Sequence, residues 1–322
     1  MYDYFMKKMI YQKFILGTQN LEKALQNGLG GVIFFTKDIQ TEKQFKKIID
    51  DIKLLASIPP FLSIDQEGGR VERTENIRSK RLSARIAYKN GVEFLTKQTN
   101  EISEELKKYG INLNFAPCVD VNTNIKNPII GERSYSDKYT EVITGAEIFI
   151  KSLRKQNIIP CIKHFPGHGD ADSDSHLTLP RIDLSFDEMK NVHIKPFEYF
   201  IKDNIEMIMV AHLHCTCFDS KTIPTSLSQN AINYLRNELG YNGVLISDDM
   251  VMKGVEAYGK LESVIMGIMA GIDMFIFRNS DDETLEMIEQ LCEIVNNNQE
   301  LQKKVLDSYD RILKLKKKFN IV

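Results

Sequence analysis

Eight short apolar runs recur along the whole chain, and segments of helical periodicity separate them. The runs are Phe14-Ile15-Leu16, Gly31-Val32-Ile33-Phe34-Phe35, Pro60-Phe61-Leu62-Ser63-Ile64 and Ile111 to Val121 around Leu113-Asn114-Phe115-Ala116. They continue with Ile158-Ile159-Pro160-Cys161-Ile162, Met207-Ile208-Met209-Val210, Val244-Leu245-Ile246 and Met274-Phe275-Ile276-Phe277. Such runs suit strands buried on both faces, the signature of parallel sheets. Parallel neighbours need a crossover of about a dozen residues or more, which the helical segments supply. Eight units of this kind over 322 residues predict an α/β chain closed into a single (β/α)8 barrel of TIM type rather than an open sheet. Length alone also permits two domains. No composition break marks a linker, so the expectation is one barrel domain over residues 1–322 and no second domain.

Helix boundaries follow from local chemistry. Thr41 with Gln44, and Ser280 with Glu283, have the spacing of capping boxes, which satisfy orphan amides in a first turn. Gly110 and Gly240 each follow a helical segment, where glycine accepts the left-handed conformation of a helix end. The run Lys314-Leu315-Lys316-Lys317-Lys318 reads as the solvated end of a last helix, where cations suit the dipole.

The charge balance of 42 Lys+Arg against 44 Asp+Glu, with no long basic block, gives no reason to expect nucleic acid as a partner. Asp3 precedes the lysines of the N-terminus and no apolar run follows them, so no secretory signal is expected. No stretch approaches a membrane span. Cys118, Cys161, Cys215, Cys217 and Cys292 form an odd, dispersed set unlike a disulfide framework. The expectation is a cytoplasmic protein with reduced thiols.

In a (β/α)8 barrel, functional groups sit at the C-terminal ends of strands. Here run three ends in Asp65-Gln66-Glu67-Gly68-Gly69-Arg70, run four in Asp120, run five in Lys163-His164, run six in His212 and His214, and run seven in Ser247-Asp248-Asp249. One aspartate alone would read as a cap; five strands ending this way point to one shared site. The stretch from Lys163 to His176 is the most concentrated, with three of the six histidines. Its glycines and small polar residues read as a loop over the barrel mouth. Asp174 and His176 are close enough in a turn for the carboxylate to orient the imidazole and favour its protonated form, which makes a positioned general acid/base.

The segment from Lys163 to His176 (KHFPGHGDADSDSH) resembles a signature of glycoside hydrolase family three, in the branch of NagZ-type β-N-acetylglucosaminidases. DQEGGRVER (Asp65 to Arg73), NLNFAPCVDVNTNIKNPIIGER (Asn112 to Arg133) and Ser247-Asp248-Asp249-Met250 resemble its other blocks in the same order. The resemblance implies a retaining exo-glycosidase (beta-N-acetylhexosaminidase) on a (β/α)8 barrel, without cofactor or metal. Asp248 would be the nucleophile, His176 the acid/base assisted by Asp174, and Asp65, Arg73, Arg133, Lys163 and His164 the residues binding the terminal sugar. It further implies N-acetylglucosamine-terminated muropeptides or oligosaccharides as substrates, in peptidoglycan recycling in the cytoplasm. The chain is expected to act as a monomer, with neither nucleic acid nor membrane as partner. Ala171 departs from the pattern, which usually has threonine there.

The chemistry suits that transfer. A retaining mechanism needs one carboxylate to attack the anomeric carbon and a second group to protonate the leaving oxygen and then activate water. With no second domain expected, the second group must come from the barrel loops. His176 meets the need, since roughly a quarter of a histidine with the ordinary pKa is protonated at pH 7. Arg73, Arg133 and Lys163 can donate to sugar oxygens and Asp65 can accept from hydroxyls. The same residues, with Glu67, could instead form a structural ion-pair network, and the two roles can coexist. Three alternatives compete. His212-Leu213-His214-Cys215-Thr216-Cys217 with Asp248 could imitate a barrel metallohydrolase. The barrel could bind sugar without cutting it. A glycosyl-enzyme opened by histidine could also accept phosphate, giving a phosphorylase.

Overall fold

The computed structural model of the protein describes residues 2–171 and 179–322. Eight parallel strands close a barrel: β1 (Phe14–Leu16), β2 (Gly31–Phe34), β3 (Phe61–Ile64), β4 (Leu113–Asn114), β5 (Ile159–Phe165), β6 (Met207–Val210), β7 (Val244–Asp249) and β8 (Met274–Phe277). Each pairs with the next, and β8 returns to β1 with Phe14, Ile15 and Leu16 opposite Phe275, Ile276 and Phe277. Helices surround the strands, as the alternating apolar runs predict. Run four is shorter than expected. Pro117 cannot donate to a ladder, and the Asn114 side chain is spent on the backbone of Gln66, from whose amide it accepts at 2.9 Å. Beyond it only a single bridge, Cys118 to Lys163, continues the pairing.

Side chains alternate between two cores because successive Cβ atoms point to opposite faces of a strand. Ile15, Ile33, Phe61, Ile159, Cys161, Met207, Met209, Val244, Ile246, Met274 and Ile276 fill the barrel interior. Their neighbours Phe14, Val32, Leu62, Ile162, Ile208, Leu245 and Phe275 face the helices. The helix Glu42–Leu55 shows why those helices dock. It buries Phe45, Ile49 and Ile52, at spacings of one helical face, and the Phe45 ring meets Phe34 edge-on at 5.1 Å. Truncating such a buried phenylalanine costs about 3–5 kcal/mol. The Thr41–Gln44 capping box at its start is formed. Gly110 (φ 84°) ends the helix Val92–Tyr109, and Gly240 (φ 69°) is also left-handed.

Two expectations about helix ends need correction. The helix Asp282–Asn296 is capped by Asp281, not Ser280: the Asp281 carboxylate accepts from the Thr284 amide at 2.9 Å and its hydroxyl at 2.6 Å. Ser280 is wholly buried and donates to the Gly17 carbonyl, tying the end of β8 to the end of β1. The final helix, Gln299–Lys318, does carry cations in its last turn, but Lys316 is not solvated. Ile312, Leu315 and Phe319 plug the N-terminal end of the barrel. That docking draws Lys316 under the strands, where its Nζ donates to Gln12 Oε1 at 2.7 Å and the Pro59 carbonyl at 2.8 Å.

Candidate active site

The inward positions of the strands lead directly to the site. Continuing Phe61 and Ser63 by two residues reaches Asp65, continuing Ile159 and Cys161 reaches Lys163, and continuing Val244 and Ile246 reaches Asp248. The period of two therefore sets these side chains as a polar layer above the apolar interior. They line a cavity of about 420 Å3 at the C-terminal ends of the strands, together with Arg73, Arg133, His164, His168 and Arg278. Six sequence-predicted site residues, Asp65, Arg73, Arg133, Lys163, His164 and Asp248, thus share one pocket. Asp174 and His176 lie outside the described residues.

A buried ion-pair frame fixes the donors. Lys163 Nζ lies 2.6 Å from both Asp65 Oδ1 and Glu67 Oε1. Arg133 grips Glu67 with two parallel bonds, Nε to Oε2 at 2.9 Å and Nη2 to Oε1 at 2.8 Å, the bidentate geometry that orients a guanidinium most firmly. Burial acts to raise the Glu67 carboxyl, but Arg133 and Lys163 outweigh it and hold it well below the usual carboxylate range. Burial likewise opposes the charge on Lys163, and Asp65 and Glu67 restore it, so its pKa is raised. The ion-pair network and the pocket lining are one structure.

His164 is held by Asp120, which is fully buried. Its Nδ1 lies 2.7 Å from Asp120 Oδ2, and Nε2 sits 3.3 Å from Arg133 Nη2. Asp120 Oδ1 also accepts the amides of His164 and His168, at 3.2 and 2.6 Å. Burial works against the Asp120 charge, yet His164 and these bonds hold its carboxyl well below the ordinary range. His168 is buried with neither ring nitrogen partnered among the described residues, and burial lowers its pKa to about 4, so it is neutral at pH 7.

Asp248 lines the pocket beside these residues. Its Oδ1 accepts the Asp249 amide at 2.7 Å, and no cation is bonded to it among the described residues. Burial pushes its carboxyl up, but the positive potential of His164 and His212 and the Asp249 amide bring it below its ordinary value. It is ionised at neutral pH without being consumed by a salt bridge. The adjacent Asp249 turns to Arg278, with Oδ2 3.2 Å from Nε, and burial raises its pKa to about 6.

Sequence reasoning named Arg133, Lys163 and His164 as site residues, and Glu67 only as a possible ion-pair partner; it did not name Asp120, which holds His164, although Asp120 closes run four. It missed Arg278, which follows run eight immediately. The metallohydrolase constellation does not converge. His212 Nδ1 pairs with Ser226 Oγ at 2.7 Å and His214 Nε2 with the Asp219 carbonyl at 2.9 Å. Among the described residues, Cys118, Asp120 and His164 alone bring three metal-type donor atoms within 4.8 Å of one another. Their fit to a metal is poor, because Asp120 is already saturated by hydrogen bonds and burial drives the Cys118 thiol far above its usual pKa. A second cavity, of about 530 Å3, lies at the opposite end of the barrel beside Glu206 and the final helix. Glu206, the carboxylate lining it, is taken up by Arg154 and Lys318.

Residues 8–315 match the Glycosyl hydrolase family 3 N terminal domain. The chain belongs to this family. It is 32% identical over 319 residues to Beta-hexosaminidase A of Pseudoalteromonas piscicida, covering 90% of this chain and 53% of that protein. It is 32% identical over 274 residues to the Beta-hexosaminidase of Photobacterium profundum, covering 83% and 79%. A family 3 β-N-acetylglucosaminidase structure from Paenibacillus superposes with a TM-score of 0.91 at 27% identity, over 98% of this chain and 62% of that one. The chain thus spans about half the length of the Pseudoalteromonas relative. For this family 3 chain, the resemblance drawn from the loop signature and the strand-end blocks holds, as does the (β/α)8 barrel it implied.

Proposed function

We propose that the chain is a retaining exo-β-N-acetylglucosaminidase that releases terminal, non-reducing β-linked N-acetylglucosamine. The observation that carries this reading is Asp248, ionised, free of any cation among the described residues, and facing a pocket whose volume falls within the roughly 300–1,000 Å3 of small-molecule sites. Asp65 accepts from sugar hydroxyls, while Arg133 and Lys163, aimed by Glu67, donate to hydroxyl or acetamido oxygens. Asp248 attacks the anomeric carbon and forms a glycosyl-enzyme. His176, oriented by Asp174, protonates the departing oxygen and then takes a proton from water, which opens the intermediate. The names of the relatives support N-acetylhexosamine as the sugar. Muropeptides in the cytoplasm are the proposed setting, supported by five cysteines that are all free thiols.

The test is turnover of a chromogenic β-N-acetylglucosaminide against the matching β-glucoside, with Asp248→Asn and His176→Ala variants. The expected result is preference for the N-acetylglucosaminide, activity abolished by Asp248→Asn, and a loss of about 10²–10⁴-fold in His176→Ala. Preference for the glucoside, or near-full activity in Asp248→Asn, overturns the reading. Release of N-acetylglucosamine from purified muropeptides tests the substrate.

A further inference from the structure

The segment His212-Leu213-His214-Cys215-Thr216-Cys217 meets the pocket chemistry through His212 beside Asp248, and further along it brings two thiols together. Cys215 and Cys217 place their Sγ atoms 3.3 Å apart. Cys215 belongs to a two-residue strand, His214–Cys215, which pairs in parallel with Arg181–Ile182. Its side chain is 2% exposed, packed with Ile182 and Leu213, whereas Cys217 lies at the edge of that cluster and is partly open to solvent. Thr216, between them, holds the other strand: its amide and hydroxyl donate to the Ile182 carbonyl at 3.1 and 3.2 Å.

We propose that Cys215 and Cys217 form a redox modification site, which low-molecular-weight disulfides such as oxidised glutathione convert to an intrachain disulfide. The pair is asymmetric in the way such exchange requires. The hydrogen bond between the two sulfurs lowers the pKa of Cys217 and, with burial, raises that of Cys215. Cys217, the more open to solvent of the two and the more acidic, is the attacking group. Its thiolate attacks one sulfur of the small disulfide, forming a mixed disulfide and releasing one small-molecule thiol. Cys215 then loses its proton to solvent and attacks Cys217 Sγ, expelling the second thiol. The protein gives up two electrons and two protons, and one small disulfide becomes two thiols. The remaining cysteines supply internal controls: Cys118, Cys161 and Cys292 are buried, and burial raises the pKa of each. The product would close a small covalent ring around Thr216, at the anchor of the strand that follows residue 178. None of this depends on the glycosidase reading.

The experiment uses the full chain, reduced, desalted and incubated with oxidised glutathione, then acid-quenched, alkylated and read by intact mass and peptide mapping. The expected product has lost two hydrogens, keeps no glutathione, protects Cys215 and Cys217 alone from alkylation, and reverts with dithiothreitol. Cys215→Ser should stall with glutathione on Cys217, and Cys217→Ser should take up none. Cys217 should react at least about tenfold faster than Cys292. A wild-type chain that accumulates the mixed disulfide without closing the link, a link at other cysteines, or equal reactivity of Cys217 and Cys292 overturns the proposal.

Discussion

Replacing Glu67 by glutamine tests the electrostatic frame of the pocket. The glutamate is buried, and its two oxygens accept from Arg133 Nε (2.9 Å), Arg133 Nη2 (2.8 Å) and Lys163 Nζ (2.6 Å). Glutamine keeps the volume, so no cavity opens, but it removes the charge and points an N–H donor at one of two cations. Breaking a buried ion pair from one side costs about 3–5 kcal/mol, because the other charge stays buried and uncompensated. Lys163 retains Asp65 at 2.6 Å, so the lower end, about 3 kcal/mol, is expected. At roughly 2–4 °C per kcal/mol for a large domain, Tm should fall by about 6–12 °C. Arg133 and Lys163 also lose their aim. Charged hydrogen bonds are worth about 1.5–3 kcal/mol, so kcat/KM on a β-N-acetylglucosaminide should fall by about 10- to 100-fold.

The pH dependence gives this variant a second readout. The folded Glu67 carboxyl sits well below its ordinary value of 4.5, despite burial, because Arg133 and Lys163 favour its charge. Its contribution is therefore complete above that ordinary value and is lost as the pH falls below it. Urea unfolding at a series of pH values should show the gap between wild type and Glu67→Gln widest near pH 7 and narrowing below about pH 4. A variant within about 0.5 kcal/mol of wild type at pH 7, with kcat/KM within about twofold, would show that the frame neither stabilises the barrel nor aims its donors.

Further outcomes follow from single buried groups. His168 has its pKa lowered from 6.5 to about 4 by burial, so the unfolded chain binds the extra proton first; stability should fall by about 3 kcal/mol as the pH drops from 6.5 to 4, and His168→Gln should flatten that slope in urea unfolding. Burial lowers both Lys316 and Lys13 from 10.5 to about 7, so each contributes stability that rises with pH between those values, and Lys316→Met should reduce the slope without abolishing it while leaving activity unchanged, as read by urea unfolding. Gly169→Ala would set a Cβ 1.8 Å from the Val121 carbonyl oxygen, a clash with backbone that cannot rotate away. The backbone at residue 169, which leads toward Asp174 and His176 in the sequence, would have to shift, and kcat should fall about tenfold or more with a smaller change in KM, measured on the chromogenic substrate.

The barrel was legible because its causes are periodic. Buried parallel strands leave apolar runs, and their alternation with helices leaves few topologies to choose from. The site was legible for a related reason: inward parity carries past the end of a strand, so Asp65, Lys163 and Asp248 could be placed at the barrel mouth before any contact was known. The partners within the site were harder to read. Glu67 grips Arg133 across 66 positions and Asp120 grips His164 across 44, and such pairings follow from the closed geometry of the barrel rather than from spacing along the chain.

The failures share a physical origin. Ser280 and Lys316 both obeyed a local rule, the first as a cap and the second as a solvated cation at a helix end. In each case long-range docking won: Ser280 was needed between β8 and β1, and Lys316 was drawn in by the neighbours that plug the barrel. Arg278 shows the converse, since the same parity from Met274 and Ile276 reaches it directly, and only its distance from every recognisable block hid it. Its contact with Asp249 holds the Arg278 guanidinium on that carboxylate, 3.2 Å away, within the pocket that Asp248 also lines. In the proposed mechanism the residue beside Asp248 matters because Asp249 takes up a positive charge, while Asp248 stays ionised and, among the described residues, without a cation bonded to it.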